Sequence, residues 1–291
     1  MSWRSIIISN PAKLSSGNGR LNIEQECERF SVPLEDIGAI VLESPQISLT
    51  VPLLREIAKG HISMFICDEK HLPCGVIQPF HQHSRQARVL QSQLALSRPF
   101  AKNCWKKIIE RKIINQAACL RLLSLEGVLD LEALALEIRS GDTTNREGVA
   151  ARIYFAKLAP KVIRNDETAF NAALDYGYAI FRGALARSLS SFGFLPALGL
   201  WHHSELNPFN LADDFLETFR PLVDLWVGGN IQENSVFSQD HRKALVALLH
   251  KEVRIEGEEQ KALRAIEICV ASFSSACRER DPTLLRLPEL L

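Results

Sequence analysis

The stretch ISMFICDEKHLPCGVIQPFHQHSRQARVLQSQLALS, residues 62–97, divides the chain into two textures. Ile62 to Cys67 is a short apolar run with isoleucine at both ends of its core, the pattern of a buried strand. Leu72 to Phe80 reads as a last strand, interrupted by Pro73 and Pro79. From His81 the pattern changes, and Gln86 to Ser97 carries apolar residues at helical spacing. A domain boundary is expected between Pro79 and Ser84.

Working outward, the N-terminal side is mostly strand. Ser5 to Ser9 and Ile37 to Leu42 are branched apolar runs, and Gly17-Asn18-Gly19 marks a tight turn into Leu21 to Gln25. Leu49 to Lys59 has helical spacing and stops at Gly60. The C-terminal side is helical in period: Phe100 to Leu123, Glu132 to Arg139, Arg146 to Leu158, Asn171 to Ser191, Leu211 to Trp226, and two segments near 240–250 and 259–277. The expected fold class is α+β. A small β-rich, β-sandwich-like domain over residues 1–80 precedes a larger all-helical domain over 81–291. The run from Arg278 to Leu291, charged and then leucine-rich, reads as a flexible tail.

Composition narrows the function classes. Acidic and basic residues balance at 34 each, so no global field draws the protein to nucleic acid or membrane, although a local basic groove remains open. The seven cysteines are scattered singly with no Cys-x-x-Cys pair, which argues against a zinc ribbon or a disulfide framework and for reduced thiols in the cytoplasm. No signal-peptide pattern opens the chain, and no apolar run approaches the ~18 residues of a membrane span.

Chemistry concentrates in GLWHHSELNPFNLADDFLETFRPLVD, residues 199–224. His202 and His203 precede a turn-rich linker and a helix for which Asn210 is a candidate cap. Asp214 and Glu217 stand three apart and share a helical face. Imidazole with two carboxylates is a ligand set for a divalent metal, while helix capping and solvation are the alternative explanation of the same acids. A second constellation lies in SGDTTNREGVAARIYFAKL, residues 140–158. There Thr144 and Glu147 make a Thr-x-x-Glu capping box, and Glu147 shares a face with Ala150, Ala151, Tyr154 and Leu158. Third, Arg85, Arg88, Arg98, Lys102, Lys106, Lys107, Arg111 and Lys112 form a basic run with Trp105 interleaved. This run is either a solvated helix face or one edge of a phosphate-tracking groove, with Asn115, Gln116, Arg146, Arg152 and Arg220 as further phosphate contacts.

Taken together, these motifs resemble a known family. Asn145-Arg146-Glu147 opening a helix, Gly199-Leu200-Trp201-His202, and Asp214-Phe215-Leu216-Glu217-Thr218-Phe219-Arg220-Pro221 are similar to the CRISPR-associated integrase, the first Cas protein. The start WRSIIISNPAKLS, the segment Cys67-Asp68-Glu69-Lys70-His71-Leu72-Pro73 and the segment Asn171 to Tyr178 extend the likeness over nearly the whole chain. The chain most resembles the branch that accompanies the single-protein, RNA-guided DNA cutter. The resemblance implies one Mg²⁺ or Mn²⁺ held by Glu147, His202 and Glu217, with Asp214 as a supporting acid. Many relatives carry aspartate at the position of Glu217, which leaves Asp214 and Glu217 both as candidates for the closer ligand.

The implied activity is insertion of short foreign DNA into a CRISPR repeat by attack of a 3′-hydroxyl on a phosphodiester. A metal-dependent nuclease for branched DNA in repair is the alternative. The implied partners are double-stranded DNA, a second copy through the β-rich domain, and the second Cas protein. Arg85, Arg88, Lys102, Lys106, Arg146 and Arg220 are the expected DNA contacts.

Overall fold

The run Ile37–Leu42 is apolar without alternation, so as a strand it needs cover on both faces. The computed structural model, which describes residues 4–26, 28–60, 62–77, 84–163, 166–232 and 235–291, places it as a central strand with every residue buried. The chain forms two compact units, Met1–Ser84 and Arg85–Leu291. Cys27, Trp3 and the Gln78–His83 stretch of the expected boundary lie outside the described residues.

In the first unit, β1 (Arg4–Ile8), β5 (Ile37–Leu42), β7 (Ser63–Cys67) and β8 (Pro73–Ile77) form one sheet in that order. The two neighbours of β5 run parallel to it, and β8 runs antiparallel to β7. The second sheet has the order β4 (Glu28–Pro33), β3 (Arg20–Gln25), β2 (Ala12–Gly17), β6 (Ile47–Leu49). Its β2–β3 hairpin turns at Asn18 and Gly19, with φ of 54° and 71°, the positive values that a tight two-residue hairpin requires. Helix α1 (Val51–Lys59) ends at Gly60 and buries Leu53 and Ile57. Leu49, expected within this helix, instead ends β6, where it pairs with Leu14. Ile8, Leu14, Leu21, Ile23, Ile40, Leu53, Ile57 and Met64 belong to one core, so both sheets and α1 close over the same apolar interior.

The second unit comprises α2 (Gln86–Leu94), α3 (Arg98–Leu122), α4 (Val128–Leu136), α5 (Arg146–Leu158), α6 (Ala169–Ser191), α7 (Asn210–Leu216), α8 (Arg220–Asn230), α9 (Gln239–Ala247) and α10 (Ala262–Glu279). Helix α3 packs against α4, α5, α7 and α8, and α6 against α7, α8, α9 and α10. The two longest helices, α3 and α6, each start on a side-chain cap: Ser97 accepts from the Phe100 amide and Thr168 from the Asn171 amide.

Three departures from the sequence reading bear on the site. The expected helix Leu211–Trp226 is two helices, because Pro221 lacks an amide hydrogen and its ring obstructs a continuous turn. The first three residues of the expected helix at 259–277 are strand instead, since β9 (Glu252–Ile255) and β10 (Glu258–Lys261) form a hairpin inside the helical unit. Its turn is Glu256-Gly257, with φ of 55° and 81°. The C-terminal run is packed rather than a loose tail. Lys107 Nζ donates to the carbonyls of Pro282, Thr283 and Leu285, and Glu289 bridges to Arg254. Asn115 Nδ2 donates to Pro288 O, and its Oδ1 accepts from the Leu290 amide.

Among the described residues, no helix is long and apolar enough to cross a membrane.

Candidate active site

Glu147 stands in the first turn of α5. The expected Thr144 capping box does not form. Asn145, in the left-handed region at φ 51°, precedes the helix, and the Asp142 carboxylate accepts from the amides of Arg146 at 2.8 Å and Glu147 at 2.9 Å. Asp142 satisfies two free amides of the helix start, so the Glu147 side chain is released from capping and turns inward. It meets Lys112, whose Nζ lies 2.7 Å from Glu147 Oε1.

Glu217 follows the last residue of α7, in the turn between α7 and α8. Its Oε2 lies 2.5 Å from the same Lys112 Nζ, and its Oε1 accepts from Arg220 Nε at 2.9 Å. Two carboxylates, one from α5 and one from the α7–α8 turn, therefore converge on one nitrogen. Burial alone would push the Glu217 carboxyl up. Arg220 and Lys112 outweigh it and hold the group down at about 2. Burial likewise opposes the charge on Lys112, and Glu217 and Glu147 overturn it, so its pKa is raised.

Asp214 is fully buried. It accepts from the backbone amides of Leu200 at 2.5 Å and of Trp201 and His202 at 3.1 Å, and its Oδ1 lies 2.7 Å from His202 Nδ1. The carboxylate can only accept, so Nδ1 carries the hydrogen, and in the neutral ring Nε2 keeps its lone pair for another partner. The hydrogen bond to Asp214 raises the His202 pKa against partial burial, and the charge of Glu217 adds to it. Gly199 makes this loop possible, since a Cβ there would collide with the carbonyl oxygen of His202 and crowd Asp214.

His203 is exposed. Asn210 is not the cap: it is the first residue of α7, and its Nδ2 donates to the carbonyls of Ala197, Ser204 and Asn207, tying the 197–207 loop together. Asp213 pairs with Arg182 Nε at 2.6 Å and accepts from Asn207 Nδ2 at 2.7 Å. Trp105 stacks on Trp201 at a centroid distance of 5.4 Å and meets the edge of His202 at 5.5 Å.

The basic run divides by function. Lys112 belongs to the acid pair, Lys107 holds the C-terminal carbonyls, and Arg111 pairs with Glu289 at 2.9 Å. Arg85, Arg88 and Lys102 are exposed, and Lys106 is half-buried beside Glu110 at 3.3 Å. Two expected DNA contacts are committed within the protein. Arg146 pairs with Glu137 at 2.7 Å, and Arg220 is held by Glu217 and lies over the Tyr178 ring at 4.4 Å. Asn115 likewise donates to Thr218 O, next to Glu217.

A cleft of about 410 Å³ opens beside the acids, lined by Lys112, Gln116, Phe155, Tyr178, Glu217 and Asp224 among others. Asp224 at its base accepts from the hydroxyls of Tyr154 and Tyr178, and burial pushes its carboxyl up to about 6.

Hard carboxylate oxygens on one point, beside an imidazole with a free Nε2, fit a divalent cation in kind. Among the described residues, no three His, Cys, Asp or Glu side chains are gathered closely enough to hold one, and the two glutamates that do converge share a lysine ammonium. Sequence reasoning missed Lys112 as a site residue. Its signal was position: Ile108, Ile109, Lys112, Ile113, Gln116 and Ala117 fall on one helical face, and all are buried.

A sequence profile of the family described as CRISPR associated protein Cas1 matches residues 6–256. The chain belongs to this Cas1 family. It is 43% identical over 300 residues to the CRISPR-associated endonuclease Cas1 of Neisseria meningitidis serogroup C, covering 100% of this chain and 97% of that protein. It is 24% identical over 231 residues to a CRISPR-associated endonuclease Cas1 of Francisella tularensis subsp. novicida, covering 71% of each. The fold is shared with a casposase bound to integration product, with a TM-score of 0.76 at 19% identity over 96% of this chain and 91% of that one. A Cas6-RT-Cas1–Cas2 complex matches with a TM-score of 0.74 at 18% identity, over 99% of this chain and 36% of that one. A Cas1 protein from Thermotoga maritima matches with a TM-score of 0.72 at 15% identity, over 94% and 97%.

Proposed function

We propose that the chain is a metal-dependent DNA strand transferase and endonuclease that inserts short foreign duplexes into a CRISPR repeat. Membership of the Cas1 family supports the class of reaction. The observation that carries the chemistry is the convergence of Glu147 and Glu217 on one point, with His202, which feels the charge of Glu217, oriented by Asp214. Glu147, Glu217 and His202 would hold Mg²⁺ or Mn²⁺. When bound, the ion supplies Lewis-acid charge at the reacting phosphoryl group and lowers the pKa of a coordinated oxygen.

The remaining roles fall to the protein. Arg220 keeps Glu217 ionised, and so available as a ligand, over the working pH range. Asp214 has its oxygens taken by three amides and an imidazole, which favours Glu217 over Asp214 as the direct ligand. In the transfer itself the foreign 3′-oxygen bonds to phosphorus at the repeat edge, and the repeat strand's own 3′-oxygen leaves. One proton passes, in net, from the attacking to the leaving hydroxyl, and positioning with electrostatic stabilisation does the catalysis.

Joining both ends of a duplex takes two such sites, so the working form includes at least a second copy, paired through the β-rich unit, and the second Cas protein. A relative solved together with Cas2 supports that partnership. The exposed Arg85, Arg88 and Lys102, with Lys106, are the proposed DNA contacts, and binding should weaken steeply with salt through counterion release. Free thiols at Cys74, Cys104, Cys119, Cys269 and Cys277 suit a reducing, cytoplasmic setting. Association with the single-protein RNA-guided cutter belongs to the same proposal.

The test is a strand-transfer assay with a 3′-hydroxyl duplex, a supercoiled plasmid carrying a repeat array, and Mn²⁺ or Mg²⁺, with and without the second Cas protein. Metal-dependent joining is expected, and its loss in both Glu147→Ala and His202→Ala. Hydrolysed ends without joining would favour the branched-DNA nuclease. Full joining by Glu147→Ala would refute the site.

A further inference from the structure

Lys112 is a strange residue for the middle of an apolar helix face. Its side chain is 10% exposed, and the carboxylates it touches, Glu147 and Glu217, are 27% and 7% exposed. Burying an ammonium is costly unless paired, and breaking such a buried pair is costlier still. The charges balance here: with Arg220 at Glu217, two cations face two anions. A divalent ion added to that set would bring two uncompensated positive charges. It would also need the point the ammonium nitrogen occupies, since both Oε atoms already aim there.

Resting on the metal-site reading above, we infer that Lys112 is an exchangeable internal counter-ion: it holds Glu147 and Glu217 in convergence without metal, and yields its place when the ion binds. The structure supplies somewhere for it to go. Gln116 lies one helical turn further along α3, and its Oε1 is buried without a hydrogen-bond partner. Lys112 and Gln116 both line the cleft beside the acids. A lysine stem has four rotatable carbons, so the ammonium can leave the carboxylates by rotamer change while the helix stays fixed. In the cleft it meets an acceptor that otherwise has none. Lys112 is thus a positioning residue for the ligands, and it sets how strongly the site discriminates against weakly bound cations.

The test is Mn²⁺ binding to the full chain without DNA, followed by the resonance of free Mn²⁺, for the wild type and Lys112→Met. Methionine keeps the length and apolar stem and removes the competing charge. The variant is expected to bind Mn²⁺ about tenfold or more tightly, within the usual range of coupling between linked sites. Its ion-free form should melt lower than the wild type, with a larger recovery on adding Mn²⁺. Equal or weaker Mn²⁺ binding by a folded variant would overturn the inference while leaving the metal site standing. No Mn²⁺ binding by either protein would sink the metal-site reading itself. Should Lys112→Met fail to fold, the wild type carries the test alone. Amine acylation read by mass spectrometry should rise at Lys112 when Mn²⁺ is added, and unchanged labelling would refute the exchange.

Discussion

Gly177 offers a sharp trial of the packing that holds α8, and with it Arg220, against α6. A Cβ built at Gly177 would stand 2.5 Å from Val223 Cγ1, and 3.3 Å from both Val223 Cγ2 and Leu245 Cδ2. Val223 and Leu245 are fully buried, so neither has solvent to move into. Gly177→Ala should gain roughly 1 kcal/mol of helix propensity. Overpacking of this kind costs roughly 1–3 kcal/mol. Because the clash involves a branched side chain on a rigid helix, the overpacking cost should fall in the upper half of its range, about 2–3 kcal/mol, for a net loss of about 1–2 kcal/mol. In a unit of this size that corresponds to a fall in Tm of roughly 2–8 °C. Val223→Ala alone should also destabilise, by roughly 2–3 kcal/mol for lost buried methyls. In the double variant the new alanine methyl fills the vacated space, so the losses should fall short of additivity by about 1 kcal/mol. Chemical denaturation of the four proteins measures the cycle. A Gly177→Ala protein as stable as the wild type, or strict additivity in the double variant, would refute the close approach.

Asp224 should leave a mark on stability against pH. Its folded pKa is raised from 3.8 to about 6 by burial, so the folded protein holds a proton that the unfolded chain releases at lower pH. Its contribution is therefore present below pH ~4 and is lost as pH rises through ~6, by about 3 kcal/mol in all at ~1.4 kcal/mol per unit. Asp224→Asn should gain stability relative to the wild type between pH 4 and 7 in parallel thermal melts, and a pH-independent difference would contradict the assignment. At the start of α5, Asp142→Ala removes the acceptor of two amides and should cost about 1–2 kcal/mol. Strand transfer should fall with it, because Glu147 lies in the turn that loosens, while Asp142→Asn should retain most of both; wild-type melting by Asp142→Ala would discount the cap.

The sequence by itself determined the partition of the fold. Unalternating apolar runs such as Ile37–Leu42 require a covered sheet, the Gly-Asn-Gly turn sets a hairpin register, and 3.6-residue spacing beyond residue 84 requires helices. These are local signals, and local sterics and period are enough to read them. The sequence also gathered His202, Asp214 and Glu217 into one candidate set, while the hydrogen bond between His202 and Asp214 came from the fold.

Tertiary structure decided what each charged group does. Thr144 and Asn210 carry the sequence marks of caps, yet Asp142 does the capping at α5, and Asn210 ties a loop because three carbonyls surround it. Lys107, Arg111 and Lys112 look alike in a basic run. One holds the C-terminal carbonyls, one meets Glu289, and one lies between two glutamates, 35 residues from the nearer of them in the chain. A charge announces its presence in sequence but not its partner. The partner is set by which helices cross, and the energy of a buried charge depends almost entirely on that partner.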